Sequence, residues 1–210
     1  MTRILGIAGP SASGKSTLAR TLAAALDRLQ GPARWLAADR YYRDRSGLSP
    51  AELEQVDFDH PEALELERLL ADLQALRRGE TVVPPEYDYA RHARRPGREP
   101  LAPPRWLLLE GLFVLTWEPL QPLLDARIYV DLPWEACLRR RLQRDRRERG
   151  RSEEEIRRQF RTRVEPMGRK YVLPGRGRAD LVVSGAEPVE TSVERVLRFL
   201  RIPSPTTERP

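Results

Sequence analysis

Short apolar runs alternate with amphipathic segments along the chain. Between the runs, leucine and alanine recur at helical spacing, as at Leu18, Leu22 and Leu26. Five runs have the length and character of buried strands: residues 3–8, 33–39, 105–111, 126–132 and 179–185. Buried strands that alternate with helices are typical of a parallel sheet covered on both faces. The pattern predicts an α/β fold with a five-stranded parallel sheet, in a single domain over residues 1–202.

Capping residues, glycines and prolines mark the predicted helix boundaries. The predicted helices end before Gly31, begin at Ser49, run from about Pro61 to Arg78, begin at Pro133, restart at Ser152 after Gly150, and run from about Pro188 to Leu200. The break at Gly150 suggests the corner of a helical lid over about residues 138–165. Residues 203–210 are predicted to be a disordered tail.

Residues 80–104 differ from the rest of the chain because they are rich in proline, tyrosine and arginine. Short extended segments lie around Pro96-Gly97, and such segments flanking a turn signal favour a β-hairpin. We therefore expect a hairpin inserted in the domain.

The first loop carries the chain's strongest chemical signal. In "GPSASGKST", Gly9 is followed after four residues by Gly14-Lys15-Ser16, which fits the phosphate-binding P-loop. In that motif, backbone N–H groups surround the phosphates, the lysine reaches the β- and γ-phosphates, and the hydroxyl binds Mg²⁺. The candidate nucleotide ligands are Gly9, Ser11, Ala12, Ser13, Gly14, Lys15, Ser16 and Thr17. A strand precedes the loop and a helix follows it, which is the context the motif requires.

Two carboxylates complete the predicted site. Asp39 and Glu110 end the second and third apolar runs, and ligands of parallel α/β sheets bind at those strand ends. Asp39 is the candidate general base, and Glu110 lies at the same end of the sheet. Two histidines and one cysteine give no zinc-site spacing, so Mg²⁺ is the expected metal.

Composition narrows the setting. Cys137 is the single cysteine, so no intramolecular disulfide forms, and no apolar run approaches the roughly 20 residues of a membrane span. No signal-like segment is evident, so we expect a cytoplasmic protein without a membrane partner. The net charge of +6 is almost all arginine, with lysine only at positions 15 and 170.

Three classes of P-loop protein compete. A GTPase would carry an Asn-Lys-x-Asp motif, which the two lysines do not supply, and a motor-like ATPase usually ends its third strand on Asp-Glu, where this chain has only Glu110. A small-molecule kinase needs a carboxylate near the acceptor hydroxyl and a lid that excludes water. Asp39 and the arginine-rich helices meet both needs, which favours the kinase.

The arginine cluster at residues 139–151 permits three interpretations: a nucleic-acid surface, a solvated helix face, or a lid that clamps phosphate. Acidic residues, among them Asp145 and residues 153–155, interleave with the arginines, and the run holds no aromatic residue for stacking bases. We therefore favour the lid and expect no nucleic-acid partner.

Seven segments, in order along about residues 5–184, resemble one known family. They are residues 9–17, 39–42 ("DRYY"), 57–64 ("DFDHPEAL"), 85–94 ("PEYDYARHAR"), 110–115 ("EGLFVL"), 139–160 and 179–185. The family is that of the uridine–cytidine kinases. The resemblance implies a P-loop sandwich that transfers phosphate from ATP (or GTP), with Mg²⁺, to the 5′-hydroxyl of uridine or cytidine. It also implies a homotetramer.

The resemblance implies roles residue by residue. Asp39 corresponds to the catalytic base beside Lys15, Glu110 and Ser16 to the magnesium site, and Arg144 to a lid arginine on the ATP phosphates. Asp59 and Arg141 correspond to residues that hold the ribose hydroxyls. The residues that surround the pyrimidine base in the family correspond in this chain to Tyr42, Phe58, Tyr87, Tyr89, His92, Arg151 and Gln159.

Alternatives stay open for several of these residues. Arg40-Tyr41 stands where the family often has a small residue and Phe, and Ser152 replaces a frequent Asp. Tyr87 and Tyr89 also suit hairpin packing, Asp59 suits a helix cap, and His92 suits an exposed loop. His60 reads as a helix-start or packing residue. A related kinase of another small hydroxylated metabolite, such as a phosphoribulokinase, is the competing function.

Overall fold

The computed structural model describes residues 1–89 and 91–203. The predicted tail therefore lies outside the described residues from position 204 onward. No helix in the described part is long and apolar enough to cross a membrane.

A five-stranded parallel sheet forms the centre of the fold, which confirms the predicted α/β class. The spatial order is β2-β5-β1-β6-β7. The strands are β1 Arg3–Ala8, β2 Ala33–Ala37, β5 Trp106–Glu110, β6 Ala126–Asp131 and β7 Leu181–Ser184. Glu110 is the register partner of both Ile7 and Ala37, so three strands end at the same level.

Helices cover both faces of the sheet. Helix α1 (Lys15–Gln30) and helix α7 (Val189–Phe199) pack on the face that receives Leu5 and Ile7 of β1. Helix α3 (Leu66–Arg78) packs on the other face. Because side chains of a strand alternate between faces, one apolar run supplies both cores.

Two predicted element boundaries were wrong near the second strand. β2 ends at Ala37, and a 3-10 turn, Ala38–Tyr41, carries Asp39 beyond the strand. The helix predicted from Pro61 is a 3-10 turn, Pro61–Ala63, followed by an extended Leu64, and α3 begins only at Leu66. Leu64 is extended because it bridges to Tyr42. Helix α2 (Pro50–Gln55) begins with the predicted Ser49/Glu52 capping box.

The inserted hairpin is present, but its turn is not at Pro96-Gly97. Strand β3 (Glu86–Asp88) pairs with β4 (Ala93–Arg95) in antiparallel register, so the chain reverses between them. Gly97 instead lies at the root of the hairpin, where an added Cβ would be 2.1 Å from the carbonyl oxygen of Pro84. Gly97 therefore allows the backbone to pass close to Pro84, where a side chain would not fit.

The lid consists of helix α4 (Trp134–Arg149) and helix α5 (Glu153–Gln159), with Gly150 in the left-handed conformation between them. Ser152 caps α5 by accepting a bond from the backbone N–H of Glu155. The helical run then continues irregularly, beyond the predicted lid, through π-helical turns, helix α6 (Glu165–Met167) and a 3-10 turn to Arg178. No sequence signal predicted this continuation.

Candidate active site

The P-loop joins β1 to α1 in the expected strand–loop–helix arrangement. Gly14, with φ of 102°, is in a conformation that favours glycine, and it directly precedes α1. Helix α1 begins at Lys15, whose side chain is buried. The helix N-terminus and the buried ammonium form an anion-binding site on the sheet edge.

A cavity of about 620 Å³ opens from the P-loop towards α7. Its walls include all the predicted P-loop residues from Ala12 to Thr17, together with Arg144 of the lid. Gly9 and Ser11 do not line this cavity; Ser11 lines a neighbouring one. Sequence reasoning missed Arg140, which also lines the cavity and donates to the carbonyl oxygens of Ser13 (3.2 Å) and Gly185 (2.7 Å). Only its place in the arginine cluster pointed to it.

Ser16 and Glu110 meet at the start of α1. The Ser16 hydroxyl donates a 3.0 Å hydrogen bond to Oε1 of Glu110, while the buried Oε2 has no hydrogen-bond partner within the described residues. Burial raises the pKa of Glu110 to about 6, against the attraction of Lys15. A buried carboxylate oxygen beside a hydroxyl suits Mg²⁺, which prefers oxygen ligands and is commonly held by one or two carboxylates with substrate phosphates. The described residues contain no cluster of three or more histidine, cysteine or acidic side chains that could hold a metal ion.

A second, smaller cavity of about 160 Å³ lies on the other side of Lys15. All nine predicted substrate-binding residues line it: Tyr42, Phe58, Asp59, Tyr87, Tyr89, His92, Arg141, Arg151 and Gln159. Asp39 lies in the same wall. Lys15, Ser16 and Arg144 line both cavities, so the two cavities meet at these three side chains.

Aromatic rings form one end of the small cavity. Phe58 stacks on His92 with ring centroids 4.5 Å apart, and Tyr42 meets Phe58 edge-on at 5.7 Å. Tyr87 packs between Tyr42 (5.4 Å) and Tyr89 (5.3 Å), so the hairpin-packing interpretation and the cavity-lining one both hold. His92 is thus a packed residue of the cavity wall rather than an exposed loop residue.

Three carboxylates surround Lys15. Asp39 contributes to the raised pKa of Glu110 and of Asp59, and Lys15 opposes both shifts. For Asp59, burial is the main cause of the raised pKa and the positive charge of Arg141 is the main opposing effect. The site therefore concentrates negative charge around one ammonium and relies on arginines from the lid.

Asp59 does not cap a helix. The 3-10 turn at Pro61 is capped by His60, whose Nδ1 accepts a bond from the Glu62 backbone N–H. The other ring nitrogen of His60 lies 2.9 Å from the Tyr171 hydroxyl. The helix-start interpretation of His60 is therefore confirmed, and the capping alternative for Asp59 is wrong.

One residue that sequence reasoning did not assign organises the lid arginines. The side chain of Asp145 is fully buried; its Oδ1 accepts a 2.8 Å bond from Arg144 Nε, and its Oδ2 lies 3.3 Å from Arg141 Nε. Arg141 further donates to Ser11 (3.2 Å) and Gln159 (2.9 Å). Gln159 Oε1 also accepts from Arg151, so Gln159 connects Arg141 before the Gly150 corner with Arg151 after it. The spacing of Arg141 and Asp145, four residues apart on one helix, was the available signal.

Comparison with known proteins identifies the family of this chain. The family described as "Phosphoribulokinase / Uridine kinase family" matches residues 4–192. The chain belongs to this family. It is a kinase.

Several family members share substantial sequence with the chain. Uridine kinase from Shewanella amazonensis is 40% identical over 182 residues, which is 86% of each chain. Uridine kinase from Vibrio cholerae is also 40% identical over 182 residues, covering 86% of this chain and 85% of the relative.

Solved structures agree on the fold. A candidate fructose transport system kinase from Silicibacter sp. TM1040 superposes with a TM-score of 0.74 at 26% identity, covering 87% of this chain and 89% of the other. A candidate uridine kinase from Bacillus stearothermophilus superposes with a TM-score of 0.59 at 21% identity over 86% and 88% of the two chains, which supports the fold alone.

Proposed function

We propose that this kinase transfers the γ-phosphoryl group of ATP to the 5′-hydroxyl of uridine, cytidine or both, giving UMP or CMP for pyrimidine salvage. One observation carries the proposal: the P-loop cavity and the aromatic-walled cavity meet at Lys15, Ser16 and Arg144. The uridine kinase relatives at 40% identity support the substrate class.

In this proposal the P-loop cavity holds the donor nucleotide. Backbone N–H groups before α1 bind the phosphates, and Lys15 and Arg144 place positive charge where the γ-phosphoryl group crosses between the cavities. Ser16 and Glu110 are the residues that would hold Mg²⁺, which neutralises phosphate charge during transfer. ATP is the proposed donor, with GTP as the alternative.

Asp39 is the proposed general base. It lies in the wall of the small cavity, which Lys15 and Ser16 also line. A carboxylate there accepts the proton of the 5′-hydroxyl as the oxygen attacks phosphorus. Because the phosphoryl acceptor fills the small cavity, water is excluded from competing for it.

The rest of the small cavity matches a ribonucleoside. Asp59 offers a half-buried acceptor and Arg141 a buried donor for the ribose 2′- and 3′-hydroxyls. Phe58, Tyr42 and Tyr87 offer apolar faces for a pyrimidine ring, and His92, Arg151 and Gln159 offer polar atoms for its edge.

The decisive assay couples ADP release to a panel of acceptors with ATP and Mg²⁺. The panel contains uridine, cytidine, deoxycytidine, adenosine, fructose and ribulose 5-phosphate. We expect uridine or cytidine to be used at least tenfold better, in kcat/KM, than deoxycytidine, because a missing hydroxyl leaves buried polar groups unpaired. Preferential use of fructose would instead favour the activity named for the Silicibacter relative.

The Lys15→Ala variant provides the control for the assay. Loss of a charge that stabilises the transferring group is expected to lower kcat about a hundredfold or more. Lys170→Ala removes the protein's other lysine, which lines neither of these two cavities, and is expected to leave kcat unchanged. Equal turnover in all three proteins would refute the P-loop assignment.

The cellular setting belongs to the proposal as well. The single cysteine, Cys137, is buried and free, which is compatible with a reducing cytoplasm. A homotetramer follows from the family resemblance alone, and light scattering of the purified protein tests it.

A further inference from the structure

The four-residue turn that carries Asp39 is bonded to three different parts of the fold. Arg40 donates to two backbone carbonyls, those of Pro85 (2.6 Å) and Pro84 (3.3 Å). The buried Tyr41 donates a 2.6 Å hydrogen bond to Asp72 of α3. Tyr42, which follows the turn, donates to the carbonyl oxygen of Phe58 over 2.9 Å. Each neighbour of Asp39 therefore fixes the turn to a separate element.

The Arg40 contact lies at the root of the hairpin. Pro84 and Pro85 are both buried, and neither has a backbone N–H with which to pair in a ladder. Their carbonyl oxygens still require donors, because a buried unpaired carbonyl costs free energy. The guanidinium of Arg40 supplies two N–H groups in a planar fork, a geometry that a single ammonium does not reproduce.

The Arg40 bond connects two segments that line the small cavity, which we call the acceptor cavity: the hairpin and the turn that carries Asp39. Pro85 lies two residues before Tyr87, whose ring packs 5.4 Å from that of Tyr42 in the cavity wall. Arg40 is the direct neighbour of Asp39. Neither cavity has Arg40 among its lining residues, so its contribution passes through the residues it holds.

We propose that Arg40 is a positioning residue that fixes the hairpin, which would bind the pyrimidine ring, relative to the carboxylate of Asp39. The inference rests on the proposed function and deepens it, since it explains how binding of the pyrimidine ring places the 5′-hydroxyl beside Asp39.

The test compares Arg40→Met, Arg40→Lys and a matched control. Arg105→Met removes another arginine that donates to a backbone carbonyl, that of Gln30 over 2.8 Å, far from both cavities. We expect Arg40→Met to raise the KM for uridine about tenfold, as for loss of charged hydrogen bonds, while the KM for ATP stays within twofold. Arg40→Lys should fall between Arg40→Met and wild type, and Arg105→Met should match wild type in both KM values.

A double-mutant cycle separates positioning from general support of the fold. If Arg40 acts through the hairpin, Arg40→Met should add little to the defect of Tyr87→Ala, because the hairpin ring that it positions is already gone. Multiplicative defects, or an unchanged uridine KM in Arg40→Met, would overturn the proposal. If Arg40→Met does not fold, the cycle is run with Arg40→Lys.

Hydrogen exchange keeps this result distinct from failure of the proposed function. Backbone amides of β3 and β4 should exchange at least fivefold faster in Arg40→Met than in Arg105→Met, with no substrate present. A wild-type enzyme that ignores nucleosides would refute the proposed function, and the exchange experiment would still decide whether Arg40 holds the hairpin. Equal exchange in the two variants would refute the role of Arg40.

Discussion

The Nε atom of Arg144 donates a 2.8 Å hydrogen bond to Oδ1 of Asp145, whose side chain is fully shielded from solvent. The second oxygen of the same carboxylate faces Arg141. Arg144 lines both cavities, whereas Arg141 lines only the acceptor cavity. A single buried charge thus orients the arginine proposed for phosphate and the arginine proposed for ribose.

Asp145→Asn is expected to impair both substrates at once. Replacing the carboxylate by an amide removes the negative charge that faces both arginines, and hydrogen bonds to charged groups contribute about 1.5–3 kcal/mol each. We expect both KM values to rise and kcat to fall about tenfold or more in steady-state assays. Asp180→Asn, which removes a comparable partner of Arg127 far from the site, is the control. A defect confined to thermal stability would contradict the role given to Asp145.

Asp39→Asn is expected to lower kcat by about a hundredfold or more, because general-base catalysis contributes about 10²–10⁴. The amide keeps the shape of the side chain, so nucleoside affinity, measured by calorimetry, should change little. Asp44→Asn is a suitable control, since Asp44 lies on the same loop and accepts bonds from the backbone of Ser46 and Arg94. Turnover within threefold of wild type would assign Asp39 to another task.

Asp59→Asn is expected to stabilise the free enzyme at neutral pH. Burial raises the pKa of Asp59 above its ordinary value of 3.8, so the folded protein favours the protonated form. The stabilising contribution of the protonated form is complete below pH 3.8 and is lost as pH rises through the folded-state pKa. The neutral amide avoids that loss.

Melting temperatures of wild type and Asp59→Asn, measured from pH 7 down to pH 4, check this expectation. The variant should melt higher at pH 7, and its advantage should shrink as acid protonates Asp59 in the wild type. The same variant should lose activity on ribonucleosides, because the carboxylate proposed to accept from the ribose hydroxyls is replaced by an uncharged amide with one acceptor oxygen. A variant less stable than wild type throughout the range would show that Asp59 gains more from its partners than burial costs.

His92 is expected to permit both pyrimidines. Uridine presents a carbonyl acceptor at the 4-position and cytidine an amino donor, and a neutral imidazole has one donor and one acceptor nitrogen. His92→Ala should weaken kcat/KM for both nucleosides, and His92→Glu should penalise uridine more, since a carboxylate only accepts. If neither substitution alters either value, His92 only packs on Phe58.

Local sequence signals predicted most of the fold and the position of the site. The parallel sheet followed from five apolar runs, and the P-loop from the spacing of Gly9, Gly14 and Lys15. The boundaries that failed depend on partners distant in sequence. Leu64 is extended because it pairs with Tyr42, and Gly97 serves the approach of Pro84 rather than a turn.

Local sequence patterns also did not predict which residues meet in the acceptor cavity. The family resemblance, not periodicity, assembled Phe58, His92 and Gln159 into one expected site, and the structure brings all three to one wall. In the sequence, Asp145 is one of several acidic residues that offset the positive charge of the arginine cluster. Its role became visible once α4 buried it between Arg141 and Arg144.

The shared level of Ile7, Ala37 and Glu110 has a consequence for how the enzyme folds. The P-loop, the Asp39 turn and Glu110, the carboxylate proposed for Mg²⁺, follow or end three strands that are far apart in the chain and adjacent in the sheet. A one-residue slip of β5 would turn Glu110 to the opposite face and separate it from Ser16. A nucleotide held by the P-loop and by a Mg²⁺ ion on Glu110 therefore lacks a complete binding site until β1 and β5 pair in register. Binding of the nucleotide therefore stabilises correctly paired chains by mass action and gives no stability to chains whose strands pair out of register.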